Sequence, residues 1–198
     1  PDDIQSLIPE GVEVLDDTLN YGLNLCQNKT TGNLYIYSYN FNDNVCFNSK
    51  NYVVYQGQTD EGYDICALID REGLIYETAE GDEWIDTIEN NGLLYVANTD
   101  TESDGGGIYN AQTLEKLKEI SIRELDNYQN ILILTDDEGY KKVINKKTNK
   151  SMSSKNIDKC VYQYGRLVCF NDKQISVINT DTCEFYIYWA DIISTIGE

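Results

Sequence analysis

The chain has 198 residues, 34 of them acidic and 15 basic, which gives a net charge of -19 at pH 7 with no histidine. A single domain of this size buries about 70% of the surface its extended chain would expose, so it needs neither disulfide nor metal to hold a core. Without histidine, Ser-His-Asp and Cys-His catalysis and His-ligated zinc are excluded. The acidic excess disfavours direct binding to nucleic acid or anionic membranes, and no run of 18 apolar residues offers a membrane span.

The charge is uneven: residues 1–105 hold 21 acids and 3 bases, residues 106–198 hold 13 and 12. Cations or a basic protein surface therefore suit the first half. Lys141, Lys142, Lys146, Lys147, Lys150, Lys155 and Lys159 form either a solvated face of charged turns or a docking patch of opposite sign. The sequence starts at Pro1 without an initiator Met and so reads as a processed or excised segment, in which case a missing leader says little about compartment. Cell surface and cytoplasm both stay open.

In chain order, short runs rich in Val, Ile, Leu and Tyr alternate with Gly/Asn/Asp turns, and only 111–119 hints at a helical pattern. The first unit, 1–40, offers strands near 4–8, 12–15, 22–26 and 33–39. The second, 41–80, offers 43–47, 52–55, 63–69 and 74–78. In the third, 81–121, they fall near 83–88, 93–96, 107–111 and 116–121. The fourth, 122–155, has 122–128, 131–134, 140–145 and 150–154, and the fifth, 156–198, has 157–163, 167–170, 175–179 and 184–188. The second strands "VEVL", "YVVY", "LLYV", "ILIL" and "LVCF" start 40, 41, 38 and 36 residues apart.

A period near forty marks repeats. Four antiparallel strands per repeat predict an all-β fold, a β-propeller of about five blades in a single domain. The hairpin after the second strand is written twice, as Thr59-Asp60-Glu61-Gly62-Tyr63 and as Thr135 to Tyr140. Its Asp can hydrogen-bond backbone two residues on, and its Gly supplies positive φ. "DIISTIGE" (191–198) echoes "DIQSLIPE" (3–10), so either five blades close with a spare strand that begins a sixth unit, or the chain is an excerpt of a longer propeller.

The hairpins "ISVINTDTCEFYIY" (175–188) and "GIYNAQTLEKLKEI" (107–120) resemble YVTN-type propeller repeats, and "CALIDREGLIY" (66–76) resembles WG-type repeats. The Gly-His and Trp-Asp signature of WD repeats is absent. The resemblance implies a binding scaffold more often than a catalyst; apart from Ca2+, no cofactor is expected.

Five sets of residues are candidates for chemistry. Tyr35, Tyr37, Tyr39 and Phe41 share one strand face by period two and could stack on a glycan or anchor a protein partner, as could Trp84 and Trp189; packing between blades is the alternative. Asp100, Glu102 and Asp104 precede Gly105 with the alternation of a half calcium loop, yet the twelfth position falls on Ala111 rather than on a bidentate Glu, so Ca2+ competes with an elongated acidic hairpin tip. A two-residue turn at Tyr164-Gly165 would set Cys160 opposite Cys169, as a cross-strand disulfide or as two of six reduced core cysteines. Asp43, Asp86, Glu124, Asp126 and Asp158 lie on first strands, where a glycosidase-like propeller would place its carboxylates. Finally, acids within 60–104 could imitate nucleic acid toward a basic protein. The resulting expectation is a scaffold binding a protein or glycan through loops or a channel mouth.

Overall fold

Every expected sheet forms. The computed structural model describes residues 8–38, 45–59, 62–118, 120–154, 159–164, 166–171 and 174–189. Its first sheet contains β1 (Val12–Asp16), β2 (Asn24–Asn28) and β3 (Leu34–Tyr37). The second contains β4 (Val45–Asn48), β5 (Tyr52–Gln58), β6 (Asp64–Asp70) and β7 (Ile75–Glu80), and the third β8 (Ile85–Asn90), β9 (Leu93–Asn98), β10 (Gly107–Asn110) and β11 (Lys116–Lys118). The fourth has β12 (Glu124–Asn127), β13 (Ile131–Thr135), β14 (Lys141–Asn145) and β15 (Ser151–Ser154), and the fifth β16 (Lys159–Gln163), β17 (Arg166–Asn171), β18 (Gln174–Asn179) and β19 (Phe185–Trp189).

Within each sheet, strands pair antiparallel in chain order, the up-and-down arrangement of a propeller blade. The strand expected near 4–8 falls on residues outside those described, as does the sixth-unit start at 191–198. The helical hint at 111–119 is corrected: residues 111–113 form a turn and Lys116–Lys118 a short strand, because the capped turn described below leaves no room for a helical ladder. Among the described residues no helix is long and apolar enough to cross a membrane.

Residue packing divides the chain into two compact units, 1–120 and 121–198. In the first unit the second sheet is apolar on both faces. Tyr52, Val54, Cys66 and Leu68 pack with Ile85, Leu94, Val96 and Tyr109 of the third sheet. Val53, Tyr55, Ile65, Ala67 and Ile69 pack with Leu25, Leu34 and Ile36 of the first. Alternate side chains of one strand thus serve two neighbours, as period two demands. In the second unit Ile131, Ile133 and Val143 meet Leu167, Cys169 and Ile178 in the same way.

The repeated hairpin has one physical cause. Asp136 Oδ1 accepts from the Glu138 and Tyr140 amides at 3.0 and 2.8 Å, the Asp136 amide donates to the Tyr140 carbonyl, and Gly139 has φ +78°. At Thr59 the hydroxyl takes this capping role, accepting from the Tyr63 amide at 3.1 Å with Gly62 at φ +86°.

A second turn recurs four times between third and fourth strands, over 28–33, 110–115, 145–150 and 179–184. In each, the leading Asn Oδ1 accepts from the third and fourth amides, and the fourth-position Thr accepts from the sixth amide. The fifth residue is left-handed: Gly32, Leu114, Asn149 and Cys183, with φ from +54° to +76°. Because a left-handed non-glycine residue costs about 1–2 kcal/mol and Asn tolerates it best, Asn149→Val should lower stability by that amount in urea titration. Asn149→Gly should stay within about 0.5 kcal/mol of the parent.

Candidate functional site

A groove of about 800 Å3 lies between the second and third sheets, with Glu77, Asn98, Tyr109 and Lys116 among its walls. Glu77 is set there by strand parity. On β7 it shares a face with Ala79, which packs into the core between those sheets, so its carboxyl points inward and only 8% of the residue is exposed. Asn98, at the end of β9, donates through Nδ2 to Glu77 Oε2 at 3.0 Å and to the Thr78 carbonyl at 3.1 Å. The Tyr109 hydroxyl donates to Glu77 Oε1.

These donors are neutral, and among the described residues Glu77 makes no ion pair. The groove supplies one cation of its own. Lys116 on β11 holds its ammonium 5.7 Å from the Tyr109 ring centroid, and the Tyr76 ring meets Tyr109 edge-on at 6.2 Å.

The mouth is formed by the long β9–β10 connection. The Asn98 carbonyl oxygen of the side chain accepts from the Asp100 amide at 3.0 Å, Asp100 Oδ1 accepts from the Glu102 amide at 2.8 Å, and Ser103 Oγ donates to the Asp100 carbonyl. Gly106 then presses its backbone against β9: a Cβ there would lie 1.8 Å from the Val96 carbonyl oxygen. The glycine run therefore lets the acidic loop fold back onto the sheet. Asp100, Glu102 and Asp104 all line the groove, and the Asp100 carboxylate is the one that accepts from a loop amide among the described residues. Among the described residues no three Asp, Glu or Cys side chains are grouped so that they could hold a metal ion. Glu83, beside them, has its carboxyl pushed up from the usual range by desolvation, by a hydrogen bond with Asp100 and by the Asp100 and Glu102 charges.

The other expected residues are spread apart. Tyr35 and Tyr37 are half-buried, opposite the buried Leu34 and Ile36 on β3; Tyr39 and Phe41 lie outside the described residues. Trp84 is 52% exposed, its amide donating to Thr99 Oγ1 at 2.8 Å. Trp189 ends β19, and its side chain lies outside what is described. Asp86 is on β8 in the first unit and its carboxyl is pushed up by burial, partly offset by the Thr87 amide it accepts from. Glu124 and Asp126 are on β12 in the second unit, while Asp43 and Asp158 lie outside the described residues. Of the lysines, Lys141 is buried and donates to Thr135 Oγ1 at 2.8 Å, Lys147, Lys150 and Lys159 are exposed, and Lys155 lies outside the described residues.

Sequence reasoning missed Glu77, Asn98 and Tyr109. The available signal was parity: "IYETAE" puts an acid in register with a core alanine, where an apolar residue belongs.

No protein-family model matches the chain, and no curated protein matches it significantly. Among solved structures it is similar to BamB from Moraxella catarrhalis, at 11% identity and a TM-score of 0.36 over 84% of this chain and 61% of that one. It is also similar to Hsv2 from Kluyveromyces lactis, at 12% identity and a TM-score of 0.37 over 90% of this chain and 62% of that one. A third similarity is to the AfRom2 CNH domain, at 13% identity and a TM-score of 0.30 over 96% and 75%. The chain thus spans less than two thirds of the length of BamB and of Hsv2.

Proposed function

We propose that the chain is a non-enzymatic binding scaffold of the β-propeller type, and that it holds a protein partner by taking a lysine or arginine side chain into the groove beside Glu77. The supporting observation is that Glu77 has a buried carboxyl group that, among the described residues, is hydrogen-bonded only by neutral groups. A buried charge is costly unless paired, so an incoming cation recovers energy that folding left unspent. Tyr76 and Tyr109 offer ring faces for the same cation, and the acids of the mouth steer it in. Lys116 occupies the Tyr109 ring meanwhile and must move aside.

The test is fluorescence anisotropy with a library of short arginine- and lysine-containing peptides, at low and moderate salt. For peptides that bind, Glu77→Gln should weaken affinity at least about tenfold, the worth of one charge-assisted hydrogen bond, with circular dichroism unchanged. Lys116→Ala should strengthen it. Because the Glu83 carboxyl is raised and must lose its proton to attract a cation, affinity should rise as pH passes upward from about 4.5 toward 7. If no basic peptide binds, or Glu77→Gln and the parent bind alike, the reading fails.

A glycan is the second reading, favoured by the paired rings of Tyr76 and Tyr109. It would show binding that persists at high salt, where basic-peptide binding collapses. A glycoside-cleaving propeller would draw on the raised Asp86 carboxyl; activity that survives joint alanine replacement of Asp86, Asp126 and Asp158 would exclude it.

A further inference from the structure

We propose that Cys160 and Cys169 are a reversible dithiol site that closes into a cross-strand disulfide when a small-molecule disulfide such as glutathione disulfide reaches it. The two face each other directly in the β16–β17 ladder, between the pairs Lys159 with Phe170 and Val161 with Val168, and the same register pairs Gln163 with Arg166. Directly opposed residues on antiparallel strands have Cα atoms about 4.5–5.5 Å apart, inside the range that a disulfide spans without moving backbone. The two sulfurs lie 2.8 Å from each other, within reach of a hydrogen bond.

The surroundings give the two thiols different tasks. Cys160 is half-buried and Cys169 is 1% exposed, so a reagent meets Cys160 first. The hydrogen bond from Cys169 stabilises the Cys160 thiolate and holds its titration below that of an ordinary thiol; the nearby Lys141 ammonium helps, while burial and Asp126 oppose. Cys169 accordingly titrates higher. The other described cysteines make poor competitors: Cys26 is pushed up to about 12 by burial, and burial also raises Cys66 and Cys183. A thiolate, not a thiol, is the nucleophile.

The step balances as follows. The Cys160 thiolate, its proton gone to solvent, attacks one sulfur of glutathione disulfide, forming a mixed disulfide and releasing one glutathione thiolate. Cys169 passes its proton to that thiolate and attacks the Cys160 sulfur, expelling the second glutathione. Two protein thiols are oxidised, and one small disulfide is reduced to two thiols.

The whole chain would be equilibrated in glutathione redox buffers, alkylated, and mapped by mass spectrometry of its peptides. The expected result is one disulfide, joining the peptides of Cys160 and Cys169, with Cys26, Cys66 and Cys183 still alkylated. Cys169→Ser should accumulate a single glutathione adduct at Cys160, and Cys160→Ser should accumulate none. Peptide mapping of the parent protein decides the matter even if a variant fails to fold. Both cysteines remaining alkylated in an oxidising buffer, or Cys160 bridging to another cysteine, would overturn the proposal.

Discussion

Gly106→Ala should destabilise the first unit by about 3 kcal/mol or more, the range reserved for overpacking that the surroundings cannot absorb. The added methyl would sit 1.8 Å from the Val96 carbonyl oxygen, 2.5 Å from its carbon and 3.0 Å from Ala97 Cα. All three are backbone atoms in the middle of a sheet, so relief means breaking the β9–β10 ladder. Against a total stability of order 5–15 kcal/mol, such a loss should be plain in the urea midpoint. Gly92→Ala is the control: Gly92 has φ +76° but open space around its Cβ position, so it should cost only the left-handed penalty of about 1–2 kcal/mol. Equal midpoints for the two variants would show that the loop does not press on β9 as described. Because the same loop forms the groove mouth, Gly106→Ala should also abolish any basic-peptide binding.

Asn145→Ala should cost the second unit about 3 kcal/mol. Asn145 is 1% exposed. Its Oδ1 accepts from the Lys147 and Thr148 amides, both at 2.9 Å, and its Nδ2 donates across to the fifth sheet, to the carbonyls of Thr180 and of Asp181. Truncation removes hydrogen bonds worth about 0.5–1.5 kcal/mol each and strands buried partners at about 1–3 kcal/mol. Asn110 has the same place in the same turn but is half-buried, with amides of Gln112 and Thr113 as its Oδ1 donors; Asn110→Ala should cost about 1 kcal/mol. The difference isolates the tie between sheets. Matching losses in chemical denaturation would mean that the cross-sheet donation contributes nothing.

Strand positions were legible because they rest on local chemistry. Asp136 and Gly139 can close a hairpin without help from the rest of the chain, and "YVVY" and "ILIL", short apolar runs between turn residues, fit strands buried on both faces. Even the opposition of Cys160 and Cys169 followed from counting back from a two-residue turn. The fourth strand of the third repeat is described over Lys116–Lys118; Glu119 lies outside the described residues.

The groove was not legible in the same way. Tyr35, Tyr37 and Trp84 drew attention by composition, yet the cavity formed around Glu77, Asn98 and Tyr109, which stand 21 and 32 positions from their partner along the chain. The sequence alone determined the repeat, the strand order and the turn chemistry, all set by interactions within a few residues or between adjacent strands. Only the tertiary structure decided, within each unit, which face of a sheet meets its neighbour, and therefore that one carboxyl group is carried inward and makes no ion pair among the described residues, because desolvation is imposed by packing and has no local signature.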